Sequence, residues 1–189
     1  DLQHTHLKEV EIEDLLPRNQ ISVDIEAISA ILRDKCVMIT GAAGSIGAEI
    51  VRQVASFGPS NMVLIDQAET PLHDIRRMMS RQFPDIRCET ITVSICREFH
   101  IERLFAQYRP EYVFHAAAYK HVPMMEDNPV EAVMNNIVGT RIIADLSVRY
   151  GARKFVMVST DKAVNPTNVM GCSKRICEIY CQSLDKALK

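Results

Sequence analysis

Thr40-Gly-Ala-Ala-Gly-Ser-Ile-Gly47 sits between a short apolar run, Cys36-Val-Met-Ile39, and a segment whose apolar residues recur at helical spacing. A strand that turns sharply into a helix through Gly41, Gly44 and Gly47 presents the free N–H groups of the helix start, and glycine lets that backbone approach a phosphate closely. The same turn would also serve tight packing of a helix on a strand, so the next strand matters. Met62-Val-Leu-Ile65 ends in Asp66, 19 residues after Gly47. A dinucleotide fold places there the carboxylate that accepts hydrogen bonds from the adenosine ribose. Asp66 would repel a 2′-phosphate, and Gln67 and Ala68 supply no compensating cation, which predicts NAD(H) over NADP(H).

Outward from this turn, strand and helix patterns alternate, predicting an α/β fold: a Rossmann-type doubly wound parallel sheet, truncated after about five strands. The first crossover helix carries Ile46, Ile50 and Val54 on one stripe, with Val51 and Ala55 beside it, and stops at Gly58-Pro59. The second is expected to open with Thr70 as N-cap and Pro71 at its first position, burying Leu72, Ile75 and Met79. Strand three falls near Cys88–Val93, and a third helix runs to Tyr108, ahead of Pro110. Strand four, Tyr112–His115, leads into Ala116, Ala117 and Ala118, small residues that admit a cofactor to the backbone. Asn128-Pro129 is expected to cap one long helix with Val130, Val133, Met134, Ile137 and Val138 inside, closing at Gly151. Strand five, Lys154–Val158, delivers Ser159, Thr160, Asp161 and Lys162 to the carboxyl edge of the sheet, where ligands bind in such folds. A last helix starts near Val169. Residues 1–35 read as an N-terminal arm with amphipathic pieces at Val10–Leu16 and Ile25–Leu32, the latter capped by Asp24; residues 36–189 form the NAD-binding domain.

With 47% hydrophobic residues in 189, the chain can build one ordinary core. Its 22 basic and 24 acidic residues are mixed, which argues against nucleic acid as a partner. Apolar runs are short and broken by charges, so neither a bilayer span nor a signal peptide is expected. The six cysteines contain no CxxC pair and read as small buried hydrophobes of a reducing compartment; with scattered histidines, no metal site is expected. The start at Asp1 points to a piece of a longer protein.

Asp161 and Lys162 are adjacent in a loop, so their side chains can diverge toward one substrate as proton donor and acceptor. That division of labour requires an acid raised and an amine lowered in pKa by burial and neighbours; the alternative is a solvated ion pair. Met170 precedes Lys174 by one helical turn, a spacing that core edge plus surface would also explain.

The chain resembles the nucleotide-sugar 4,6-dehydratases of the CapD-like polysaccharide-biosynthesis group, within the extended short-chain dehydrogenase/reductase superfamily. The resemblance rests on TGAAGSIG at 40–47, HAAAYKHVPMMEDNP at 115–129, NNIVGT at 135–140 and STDKAVNPTNVMGCSK at 159–174. The arm Val10–Leu16 is also similar to the segment that joins membrane helices to the catalytic domain in long, membrane-anchored members. The resemblance implies that Gly41, Gly44, Ser45, Ile46 and Gly47 hold the pyrophosphate of NAD and that Asp66 and Gln67 face the adenosine ribose. Ser94 and Ile95 would lie near the adenine, and Ala116 to Ala118 along the cofactor. Asn136, counted with the cofactor site, would support the active-site backbone. Lys174 matches the lysine of the YxxxK signature, Thr160 the residue that contacts the substrate hydroxyl, Asp161 and Lys162 the dehydratase acid and base, and Lys120 a loop lysine near the substrate.

Two positions depart from the pattern. Met170 stands where the signature has tyrosine, as in the long membrane-anchored subgroup, and a thioether cannot take the proton of the sugar 4-hydroxyl; Asp161, or a water held by Thr160, must do so. Ser94 stands where relatives usually carry an aspartate. The implied activity is NAD-dependent 4,6-dehydration of a UDP-N-acetylhexosamine, foremost UDP-N-acetylglucosamine, for bacterial capsule, O-antigen or other surface glycan. The complete protein is expected to be a homo-oligomer on the cytoplasmic side of the inner membrane, reaching the membrane only through a segment outside this chain. The sugar-nucleotide domain is expected to lie beyond Lys189, so the 189-residue segment by itself would be inactive and, with its fifth strand uncovered, prone to self-association. A UDP-sugar 4-epimerase and a non-catalytic dinucleotide-binding module are the alternative readings.

Overall fold

Alternate residues of a strand face opposite sides of the sheet, so a strand buried on both faces reads as a continuous apolar run. Cys36–Thr40 is such a strand, β1: Val37 and Ile39 enter one core, Met38 the other, and all three are fully buried. The computed structural model describes residues 24–189. The piece expected at Val10–Leu16 lies outside the described residues. Helix α1, Ile25–Leu32, begins where Asp24 accepts a hydrogen bond from the Ala27 N–H, and its Leu32 joins the core beneath β1.

The rest alternates: α2 (Ser45–Ser56), β2 (Asn61–Asp66), α3 (Glu69–Gln82), β3 (Arg87–Thr92), α4 (Glu98–Tyr108), β4 (Tyr112–His115), then α5 (Val122–Asp127) and α6 (Pro129–Glu131). A π-helical stretch, Ala132–Val138, runs on into α7 (Gly139–Arg149); β5 (Lys154–Met157), a 3-10 turn at Asp161–Ala163 and α8 (Val169–Ala187) follow. The five strands are all parallel, in the order β3-β2-β1-β4-β5. One face packs Val51, Val54, Leu72, Ile75 and Met79 from α2 and α3; the other packs Ile101, Phe105, Ile142, Ile143 and Leu146 from α4 and α7. This is the doubly wound arrangement expected, with the chain order reversing between β1 and β4.

Five local expectations are corrected. Helix α3 starts at Glu69, after Ala68, so Thr70 and Pro71 lie inside its first turn; proline is tolerated there because N–H groups of that turn have no helical acceptor. Ile46 is exposed, since the first turn of α2 projects beyond the core at the sheet's carboxyl end. Strand five ends at Met157, one residue early. The long helix after Pro129 is not continuous α-helix: its π-helical stretch turns Val133 and Met134 outward and Asn135 and Asn136 inward, and Val130 is exposed as well. Cys177 is buried as expected, whereas Cys172 is exposed. No helix among the described residues is long and apolar enough to cross a membrane.

Candidate functional site

The reversal of strand order opens a crevice at the carboxyl ends of β1, β2 and β4, and the glycine turn forms its floor. Gly41 has φ +70°, and a Cβ built there would lie 2.4 Å from the Ala117 nitrogen, so the β1 and β4 loops close on each other only with glycine at this position. At Gly47 a Cβ would lie 1.8 Å from the Gly41 carbonyl oxygen, which fixes how tightly α2 folds back on the turn. Gly44 differs: its Cβ would meet only that oxygen, at 3.4 Å, and the residue is exposed toward the crevice together with Ser45 and Ile46. The Ser45, Ile46 and Gly47 N–H groups belong to the first helical turn, which leaves them available to an anion.

Asp66 is built into this floor from the β2 side. Its Oδ2 accepts from the Ala43 N–H and its Oδ1 from the Ala68 N–H, both at 2.9 Å, so the carboxylate is held rigidly with its remaining lone pairs facing the crevice. A cavity of about 220 Å³ lies between Asp66, Gln67, Ser94, Ile95 and Ala116 to Ala118. An adjoining cavity of about 500 Å³ runs along Ser45 and Ile46 to Lys120. The residues present fit a dinucleotide: an open Gly44, unpartnered helix-start N–H groups, and a fixed carboxylate at the far end.

Asn136 does not line this crevice. It is fully buried, and its amide clamps the loop after β4: Oδ1 accepts from the Tyr119 N–H at 2.8 Å, and Nδ2 donates to the Tyr119 carbonyl at 3.0 Å and to Ser173 Oγ at 2.9 Å. It therefore acts through the Tyr119 backbone and not on a cofactor. Tyr119, to which sequence reasoning assigns no role, borders all the cavities of the crevice.

The other expected site residues, Asp161 excepted, meet at the end of β5, around a cavity of about 240 Å³ lined by Tyr119, Lys120, Thr160, Lys162, Met170 and Lys174; the Asp161 side chain points to solvent outside it. The Val158 carbonyl, past the last residue of β5, accepts from Lys174 Nζ at 2.7 Å; burial lowers the pKa of that amine. Met170 is buried against Met125 and Ala132. Thr160 begins the 3-10 turn, and its hydroxyl accepts from the Lys162 N–H at 3.3 Å and donates to Asp161 Oδ1 at 2.9 Å. The turn is seated on α8 by Gly171, where a Cβ would lie 2.2 Å from the Lys162 carbonyl oxygen.

Asp161 and Lys162 do not diverge as expected; they pair, with Nζ 3.7 Å from Oδ1. Nor is the acid raised. The Thr160 hydroxyl first, and the Lys162 ammonium second, hold the Asp161 carboxyl below its ordinary range, because an exposed carboxylate lacks the desolvation that would push it up.

His115 is the other polar residue that sequence reasoning leaves without a role. Fully buried at the end of β4, it lies with Nδ1 2.6 Å from Thr40 Oγ1 and Nε2 2.8 Å from Thr140 Oγ1, and it stacks on Phe155. A neutral ring satisfies both hydroxyls by donating from one nitrogen and accepting at the other. Burial, reinforced by the Lys174 cation, pushes its pKa from 6.5 down to about 3. With the folded value below the unfolded one, the stability it contributes is complete above pH 6.5 and is lost as pH falls toward 3. Folding stability is expected to drop by about 2 kcal/mol from this group between pH 7 and 5. Urea unfolding at the two pH values checks this, and His115→Gln should remove the dependence; an equal slope in that variant counts against the assignment.

Among proteins of known name, the capsular polysaccharide biosynthesis protein CapD of Staphylococcus aureus is 43% identical over 187 residues, 98% of this chain and 31% of that protein. A UDP-N-acetylglucosamine 4,6-dehydratase (inverting) of Campylobacter jejuni is 32% identical over 142 residues, 74% of this chain and 40% of its own length. The crystal structure of a UDP-glucose 4-epimerase with UDP-glucose from Thermotoga maritima superposes with a TM-score of 0.68 at 25% identity, covering 80% of this chain and 51% of that one. The chain thus spans less than half the length of these two sequence relatives. The family described as polysaccharide biosynthesis protein matches residues 37–189, all of the sheet but its first residue, Cys36, and the chain belongs to that family.

Proposed function

We propose that residues 36–189 form the dinucleotide-binding and proton-transfer half of an NAD-dependent enzyme that dehydrates a UDP-N-acetylhexosamine, foremost UDP-N-acetylglucosamine, in bacterial surface-glycan synthesis. The observation that carries this reading is that Thr160 and Lys162 line the same cavity as Lys174, with Asp161 outside its wall but bonded to the Thr160 hydroxyl and paired with Lys162. Bound in the crevice, NAD would accept a hydride from sugar C4 and return it at C6.

The chain's own groups move the protons. Asp161, ionised in the resting site, takes the proton of the sugar 4-hydroxyl by way of the Thr160 hydroxyl, the task that Met170 cannot perform. The resulting ketone acidifies the C5 proton, which Lys162 in its neutral form removes. Asp161 then gives the proton it gained to the departing C6 hydroxyl, so water leaves, and Lys162 returns its proton to C5. Lys174, pinned to the Val158 carbonyl, fixes a buried positive charge at the inner end of the cavity.

The likeness to a UDP-glucose 4-epimerase favours a second reading, in which the hydride returns to C4 itself. One labelled substrate separates the two. With deuterium at C4 of UDP-N-acetylglucosamine, the complete gene product is expected to give a 4-keto sugar with a singly deuterated 6-methyl group, seen by NMR. Deuterium retained at an inverted C4 would replace dehydration by epimerisation.

A further inference from the structure

Gln67 follows β2 and Tyr119 follows β4, and β1 lies between those strands. Adjacent strands are about 4.8 Å apart, so the two residues stand on walls roughly 10 Å from one another, with the Gly41–Gly44 turn between them. Their side chains are long enough to meet across that gap, and they do: Gln67 Nε2 donates to the Tyr119 hydroxyl oxygen at 3.0 Å. The bridge therefore passes over the end of β1, where a dinucleotide's adenosine ribose and pyrophosphate would lie.

The two halves of the bridge are unequal. Tyr119 is fixed from behind, with its N–H and carbonyl both held by the buried amide of Asn136 and its ring packed beside the Met125, Ala132 and Met170 cluster. Gln67 is exposed. Opening the bridge consequently needs only a rotamer change at Gln67, while the tyrosine stays in place. The Tyr119 O–H proton has no acceptor among the described residues, so it is available to a phosphate or ribose oxygen beneath.

We propose that Gln67 and Tyr119 form a strap that closes over the bound dinucleotide, with the Tyr119 hydroxyl as a direct contact, and slows its release. This rests on the reading of the crevice as an NAD site and deepens it. A reaction that removes a hydride from its substrate and returns it needs a cofactor that stays between the two transfers, and a strap supplies that retention without enclosing the sugar end.

The test is the rate at which NADH leaves the 189-residue chain, followed by fluorescence on displacement with excess NAD⁺. Tyr119→Phe keeps the ring and removes the hydroxyl, and release is expected to accelerate about 2- to 10-fold, the range for losing one hydrogen bond of ordinary strength. Gln67→Leu, at an exposed position that leaves the fold intact, should accelerate release as well. The double variant should fall short of the product of the two effects, since each change already breaks the shared bridge. Wild-type release rates in Tyr119→Phe, or fully multiplicative effects, overturn the strap while leaving the NAD site standing. Absence of saturable NADH binding by the wild-type chain overturns the NAD reading and the strap with it.

Discussion

Gly41→Ala is expected to abolish measurable dinucleotide binding, with a loss on the order of 100-fold or more. A left-handed backbone at an alanine costs about 1–2 kcal/mol by itself. The steric cost is larger, because the new methyl would stand 2.4 Å from the Ala117 nitrogen, backbone that cannot swing aside as a side chain can. Relief requires the β1 and β4 loops to separate, which moves the helix-start N–H groups away from the phosphates. Losing two charge-assisted hydrogen bonds at about 1.5–3 kcal/mol each accounts for the expected factor. Gly44→Ala is the informative companion: at φ −71° it carries no backbone penalty, and its methyl meets only the Gly41 oxygen at 3.4 Å. That variant should keep the wild-type unfolding midpoint yet bind NADH more weakly, because its methyl occupies the space left for the phosphate. Titration of NADH fluorescence alongside thermal unfolding checks both, and wild-type affinity in Gly41→Ala would dismiss the turn as a phosphate site.

The glycine turn was legible because its chemistry is local: a strand, a tight turn and a helix start lie consecutively in the chain. The same holds for Leu72, Ile75 and Met79, whose spacing alone predicts the buried stripe that α3 presents. Asn136 was legible as a support of the active-site backbone through family resemblance, but the burial of Asn135 and Asn136 was hidden for the opposite reason. Apolar periodicity assumes 3.6 residues per turn, and a π-helical stretch breaks that register, so Val133 and Met134 looked internal while two asparagines took the buried positions. The partners of Asn136, Tyr119 and Ser173, are 17 and 37 residues away, and no spacing rule reaches across such a gap. Gly171 stood in plain view inside the stretch 159–174, but its purpose, clearance for the Lys162 carbonyl, belongs to the packing of the 3-10 turn on α8. Asp161 and Lys162 were legible as a pair and not as an arrangement. Their mutual contact and the hydroxyl of Thr160 follow from the turn that Thr160 itself begins.

Lys162→Ala is expected to reduce dehydration by about 10²–10⁴-fold, the range for removing a positioned general base, without loss of cofactor. The reason for the separation is geometric. Lys162 Nζ is half exposed and pairs with Asp161, and neither residue touches the glycine cradle or Asp66, so the cut leaves the dinucleotide half of the site as it was. Lys174→Ala should behave differently, because its amine is buried and bonded to the Val158 carbonyl beside Met170; removing it leaves a cavity at the inner wall and should weaken NADH binding along with turnover. The measurements are made on the complete gene product: formation of the 6-methyl group from UDP-N-acetylglucosamine by NMR, and incorporation of solvent deuterium at C5 in D₂O. In the wild type, Lys162 exchanges its proton with solvent and should leave deuterium at C5. In Lys162→Ala both signals should vanish together, while the NADH titration stays within about twofold of wild type, a spread that ordinary surface substitutions produce. Retained turnover would transfer the role of base to another group at the cavity, and loss of NADH binding would place Lys162 with the cofactor instead of the sugar.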